Sequence, residues 1–90
     1  MQIEFDGAKR DKTLAERGLD FARAAEVFEG IHLTAPDSRQ DYTEDRFITM
    51  GHLDDRLVVL VWTPRDEVRR IISMRKANDR EKTFYDHYVD

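Results

Sequence analysis

Ninety residues with 40% apolar content suit one domain around one hydrophobic core, and a charged fraction of 38% with interleaved signs is not the composition of a disordered chain. The absence of cysteine excludes a disulfide framework, a thiolate nucleophile and a cysteine-ligated metal. A net charge of −4 argues by itself against a nucleic-acid binder, but the charge is polarised: Arg65 to Lys82 holds seven Lys/Arg against four Asp/Glu, and Asp37 to Asp55 holds six acids against two arginines. No stretch approaches the roughly 18 apolar residues of a membrane span, and the acidic start is unlike a secretory signal, so a cytoplasmic location is expected.

In chain order, MQIEF reads as a short strand. Asp6 is placed to cap a helix over Gly7–Arg17, and Gly18 to stop it in the left-handed conformation. After a second capping residue, Asp20, the apolar residues Phe21, Ala24, Ala25 and Phe28 recur at helical spacing up to Gly30. Ile31–Ala35 reads as a strand stopped by Pro36, and PDSRQDYTED as a polar loop. Three strands follow, Arg46–His52, Leu57–Thr63 and Arg69–Arg75, joined by connections of hairpin length. From Asn78 the chain reads as helix, with Asn78 and Glu81 as a capping pair. The expected fold is α+β, in the order β-α-α-β-β-β-β-α: an antiparallel sheet with two N-terminal helices on one face and a C-terminal helix.

Alternation along strands sorts side chains by face. One self-consistent pairing puts Ile48, Met50, Leu60, Trp62, Ile72 and Met74 under the helices. It leaves Thr49, Thr63, Ser73, Arg69 and Arg75 on an open face, with Arg65 just past a strand end. Small hydroxyls rimmed by planar, permanently charged guanidinium forks suit a phosphodiester backbone. The plainer reading of the same residues is a solvated face whose arginines pair with Asp66, Glu67, Asp79 and Glu81. Glu81 has a plain reading too, as half of the Asn78 capping box, and Tyr85 one helical turn on reads equally as packing. The three histidines show no metal-pair spacing. No glycine-rich phosphate loop, G-x-S-x-G elbow or metalloprotease helix occurs.

The segments IEFDGAKRDKTLAERGLDF, ARAAEVF, RFITMG and VVLVWTPRDEVRRIISMRKANDREKTFY together resemble the BrnT family of toxins from bacterial type II toxin–antitoxin pairs. Arg46, Gly51, Arg65, Arg70, Ile71, Ile72, Ser73, Arg75, Ala77, Glu81 and Tyr85 fit its pattern, and the RIISMRKA…E…Y stretch is the most specific part. The resemblance implies a RelE-like fold, ribonuclease activity without a metal or other cofactor, growth arrest, and neutralisation by a BrnA-type ribbon-helix-helix antitoxin. Promoter DNA would be bound only through the antitoxin complex, and no membrane is implied. The chain departs from many relatives at Thr13 and Arg17, where asparagine and histidine are expected, and at Met74, where alanine is common.

On this reading the ribose 2′-hydroxyl attacks the neighbouring phosphorus. Arg65 and Arg75 hold the phosphate, Arg46, Arg69, Arg70 and Lys76 bind RNA, and Glu81 or Tyr85 moves protons. The alternative is a non-catalytic protein that grips an acidic partner with the same face. Convergence of Arg65, Arg75 and Tyr85 on one cleft is the geometry that separates the two.

Overall fold

A computed structural model describes residues 2–89. Strand β1 (Gln2–Phe5) leads into helix α1 (Gly7–Arg17), then a 3₁₀ turn (Phe21–Arg23) running into helix α2 (Ala24–Glu29). Strands β2 (Leu33–Pro36), β3 (Phe47–Leu53), β4 (Arg56–Arg65) and β5 (Val68–Lys76) follow, and helix α3 (Asp79–Val89) comes last. The element order is the one expected, and the class is α+β. The sheet, ordered β1-β5-β4-β3-β2, is mixed, because β1 lies parallel to β5 while the other pairs are antiparallel.

Local signals account for the element ends. The Asp6 carboxylate accepts from Lys9 N at 3.0 Å, and Gly18, at φ 71°, returns its N–H to Leu14 O. Asp20 accepts from Ala22 N at 2.9 Å, and the 3₁₀ turn it opens places Phe21, Ala24 and Val27 three residues apart on one buried stripe. That is why Val27 is buried and Ala25, expected inside, is exposed. Pro36 ends an edge strand, where its missing N–H breaks no ladder.

Both faces of the sheet are covered. Leu19, Phe21, Ala24 and Val27 pack on Val58, Leu60, Trp62, Ile71 and Met74 on one side. On the other, Tyr85 of α3 packs with Leu57, Val59 and Ala77, backed by Leu33, Ile48, Met50 and Val89. This explains the unbroken apolar run of β4, since residues of both parities are buried. Helix α1 has no buried residue and does not roof the sheet. It hangs on polar contacts: Arg10 grips Asp20 with two bonds of 2.8 and 2.9 Å, and Arg17 Nη1 donates to Met74 O at 2.8 Å. Arg17 and Met74 thus touch each other, on a length of β5 that β1, pairing only as far as Ile71, leaves unpaired.

The expected assignment of faces is corrected on two strands. The β3–β4 turn has two residues, Asp54 and Asp55, both at positive φ (52° and 62°), so Leu53 opposes Arg56 and Ile48 opposes Val61. An even residue on β3 therefore shares its face with an odd one on β4. Ile48 and Met50 lie on the α3 side, and Thr49 lies under α2. Buried Thr49 accepts from Trp62 Nε1 and bonds Thr34, both at 2.8 Å, so its hydroxyl serves the core and not an open floor. On β5, a bulge between the Val61–Ser73 and Trp62–Ile71 pairs inserts Ile72 as an extra residue. Ile71 takes the core place expected for Ile72, and Arg69 and Arg70 exchange faces.

Gly51 is required for the close approach of α2 to β3: a Cβ there would stand 2.7 Å from Val27 Cγ1 and 3.2 Å from Val27 O. The contact includes backbone, so the helix must move. Gly51→Ala is expected to destabilise the protein by about 1–3 kcal/mol, read as a lower denaturant midpoint.

Candidate nucleic-acid interface

The α3-side face is only partly roofed. Helix α3 covers the Leu33–Met50–Val59–Leu57 quarter. At the other end the Asp37–Arg46 loop folds over the same face, where the buried Thr63 hydroxyl donates to Asp45 O at 2.6 Å. Between helix and loop, Ile48, Val61 and Ser73 oppose one another across β3, β4 and β5 in a narrow strip; Val61 is buried, and Ile48 and Ser73 are partly exposed.

Arg75 stands at the α3 border of this strip, opposite Val59. Its Nη1 and Nη2 donate to the two carboxylate oxygens of Glu81 at 2.7 and 2.8 Å. Glu81 is fixed in turn by the helix start: Asn78 N donates to Oε1 at 2.9 Å, and Glu81 N donates to Asn78 Oδ1 at 2.8 Å. The capping box is real, and it also positions an arginine. The Arg75 guanidinium holds the Glu81 carboxyl below its ordinary range, and Glu81 correspondingly holds the Arg75 proton more tightly. Half of the Arg75 side chain remains exposed.

Arg39 and Asp37 were not among the expected site residues. Asp37 N closes the loop on Arg46 O at 2.8 Å, and its fully buried carboxylate takes Arg39 Nε and Nη2, each at 2.8 Å. Arg39 N also reaches Asp37 Oδ1 at 3.3 Å, the local turn that Asp favours two residues before an amide. The Asp-x-Arg spacing just after Pro36 is the signal that locates this pair. Arg39 lies close enough for its charge to oppose that of Arg75, although Glu81 outweighs it.

The other expected residues are dispersed. Arg65 opposes Val68 at the β4–β5 turn, about 20 Å along the strand from Arg75 at roughly 3.3 Å per residue. It sits with Arg46 around Glu44, at 3.8 and 3.7 Å, and Arg46 stacks on the Tyr42 ring at 4.1 Å. Arg70 shares the Arg75 face but is paired to Glu4 at 2.7 Å. Arg69 lies on the opposite face, its guanidinium 3.9 Å from the Phe28 ring centre and 5.2 Å from that of Trp62. Lys76 opposes Val58, a residue of the α2-side core, so it too points away from the strip. Tyr85 is buried and donates its hydroxyl to Ile31 O at 2.7 Å; burial pushes that hydroxyl's pKa up. The structure therefore brings Arg75 and Glu81 together, adds Arg39, and does not converge Arg65, Arg75 and Tyr85 on one cleft.

The Asp37–Arg39 pair makes a prediction for acid. The Arg39 guanidinium holds Asp37 down to about 2, against 3.8 for a free side chain. A lowered carboxylate stabilises the fold fully above the unfolded value, and that contribution is lost as pH falls from near 4 through 2. A carbon-detected titration of the Asp37 carboxyl should have its midpoint well below 3.8. A midpoint at the free value would mean that the pair does not form in solution.

Fold and site together define a small α+β domain that displays carboxylate-anchored guanidinium groups on a partly roofed sheet face, an arrangement suited to anionic ligands. The family model for BrnT, the ribonuclease toxin of type II toxin–antitoxin systems, matches residues 5–81, and the chain belongs to that family. Membership implies RNA as substrate and an antitoxin as partner. No significant match was found among curated proteins. Among the described residues no helix is long and apolar enough to cross a membrane.

Proposed function

We propose that this chain is a metal-independent endoribonuclease that cleaves RNA by attack of the ribose 2′-hydroxyl, with Arg75 and Glu81 as its catalytic pair. The observation that carries the reading is the doubly bonded Arg75–Glu81 pair, half exposed at the border of the strip and held from below by the start of α3. Glu81 is a carboxylate at neutral pH and is the proton acceptor at the strip; because Arg75 lowers its proton affinity, positioning and charge stabilisation carry most of the rate. Its Oε2 accepts only from Arg75 Nη2 and keeps a lone pair for the 2′-hydroxyl.

The 2′-oxygen then bonds to phosphorus, and the 5′-oxygen leaves with the proton that Glu81 has taken. Charge gathers on the non-bridging oxygens meanwhile, and Arg75 meets it with Nε and its free N–H groups. Tyr85 anchors α3 beneath the pair through Ile31. Arg65 and Arg46 form a second cationic group that holds RNA further along the face, and Arg70 lies between. Arg69 and Lys76, on the other face, are left for RNA that wraps the sheet edge. A BrnA-type ribbon-helix-helix antitoxin neutralises the protein by covering the strip, and that complex binds promoter DNA through the antitoxin.

Purified protein free of antitoxin is expected to cleave RNA in EDTA. The support is the absence of cysteine from the chain and, among the described residues, of any grouped set of three His, Asp or Glu side chains. Activity lost to chelator and restored by a divalent cation would overturn the metal-free mechanism. Tight binding that leaves RNA intact under all conditions would instead make the chain a binding protein.

A further inference from the structure

Arg75 borders the strip and Arg39 stands on the loop that folds over the same face, and each is held by a carboxylate along a different edge. Glu81 takes Arg75 by Nη1 and Nη2, which leaves Nε free. Asp37 takes Arg39 by Nε and Nη2, which leaves both hydrogens of Nη1 free. The Asp37 carboxylate is fully buried while the Arg39 side chain is 61% exposed, so the anion lies inside and the cation faces outward. The loop is tied down at both ends of this arrangement, by Asp37 N on Arg46 O and by Thr63 on Asp45 O.

An exposed arginine ordinarily loses much side-chain freedom when it grips a ligand. Arg39 has already lost it to Asp37. Placing a carboxylate wholly out of water to orient one surface cation is costly, and the loop closure alone does not need it, since that rests on backbone and Thr63 contacts.

We propose that Arg39 and Arg75 together clamp two neighbouring backbone phosphates of single-stranded RNA across the strip, with buried Asp37 as the residue that positions Arg39. Two phosphates suit the pair better than one, because the like charges of the arginines repel and each is pinned on its own side. The clamp rests on the ribonuclease reading above and extends its binding surface to the Asp37–Arg46 loop.

The test is equilibrium binding of a short, fully 2′-O-methylated single strand, which cannot be cleaved, over a range of salt. Parental protein is compared with Arg39→Ala, Arg39→Lys, Arg75→Ala, the double alanine variant, and Arg56→Ala as an exposed arginine beside the β3–β4 turn. Loss of one phosphate contact flattens the slope of log K against log salt by about 0.7 on a single strand. Arg39→Ala and Arg75→Ala should each show that change and lose about tenfold in affinity at moderate salt, and the double variant should lose about the product. Arg39→Lys should keep most of the slope and recover only part of the affinity, since the charge stays and the fork is lost. An Arg39→Ala protein with the parental slope, or with no more loss than Arg56→Ala, overturns the clamp while leaving the Arg75 assignment standing. A parental protein that does not bind the strand at all overturns both.

Discussion

Arg75→Ala is expected to lower RNA cleavage by about a hundred- to a thousandfold and to abolish growth arrest, with the fold intact. The rate loss is that of removing one positioned donor from the charge that develops at phosphorus. The fold survives because Arg75 lies on the α3-side face at the border of the strip, half exposed, and contributes no apolar packing to either core. Its partner is not stranded. Glu81 keeps the Asn78 N–H and its cap, and it is open enough to solvent to hydrate its freed oxygens. The stability cost should therefore be about 1 kcal/mol or less, as for partly exposed ion pairs. Arg75→Lys separates fork from charge and should recover only part of the rate. Growth on induction and a thermal melt are read together for each variant. A folded, fully toxic Arg75→Ala protein would falsify the assignment of the catalytic pair.

Met74→Ala should show the opposite pattern. Met74 is fully buried, shares its core with Leu60, its partner across β4 and β5, and lends its carbonyl to Arg17. Truncation leaves a void under a sheet clamped by packing on both faces, where collapse is limited. The expected loss is on the order of 3 kcal/mol, or a melting point lower by about 15 °C for a domain of this size. Cleavage per folded molecule should stay near parental, since Met74 points away from the strip. Combining Met74→Ala with Arg17→His asks whether the two positions are coupled across their 2.8 Å contact. A melting point unchanged by Met74→Ala would mean that the core on the α2 side closes up around the gap.

The family relationship was legible from the residues, and so were the element order and nearly every helix boundary. Asp6 and Gly18 bracket α1, and Asn78 with Glu81 opens α3, because capping is chemistry between residues two to four apart and needs no tertiary context. The Arg75–Glu81 pairing was also within reach, since the strand end and the helix start are adjacent in the chain. Faces were not. Alternation specifies that side chains divide into two sets but not which set meets which partner, and a shift of one residue exchanges them all. The two-residue turn at Asp54–Asp55 settled β3, and the extra residue at Ile72 settled β5; the first is fixed by turn geometry and the second by packing across the sheet. The unbroken apolar run of β4 announced a strand buried on both sides, yet what lies over each side is decided only when α3 folds back. That closure took Tyr85 into the core, and other long-range contacts turned Arg69 onto Phe28, on the opposite face. In short-range chemistry this sequence states its own structure, the Asp37–Arg39 and Arg75–Glu81 pairs included; which face of the sheet each arginine occupies depends on contacts between residues far apart in the chain, which no local pattern encodes.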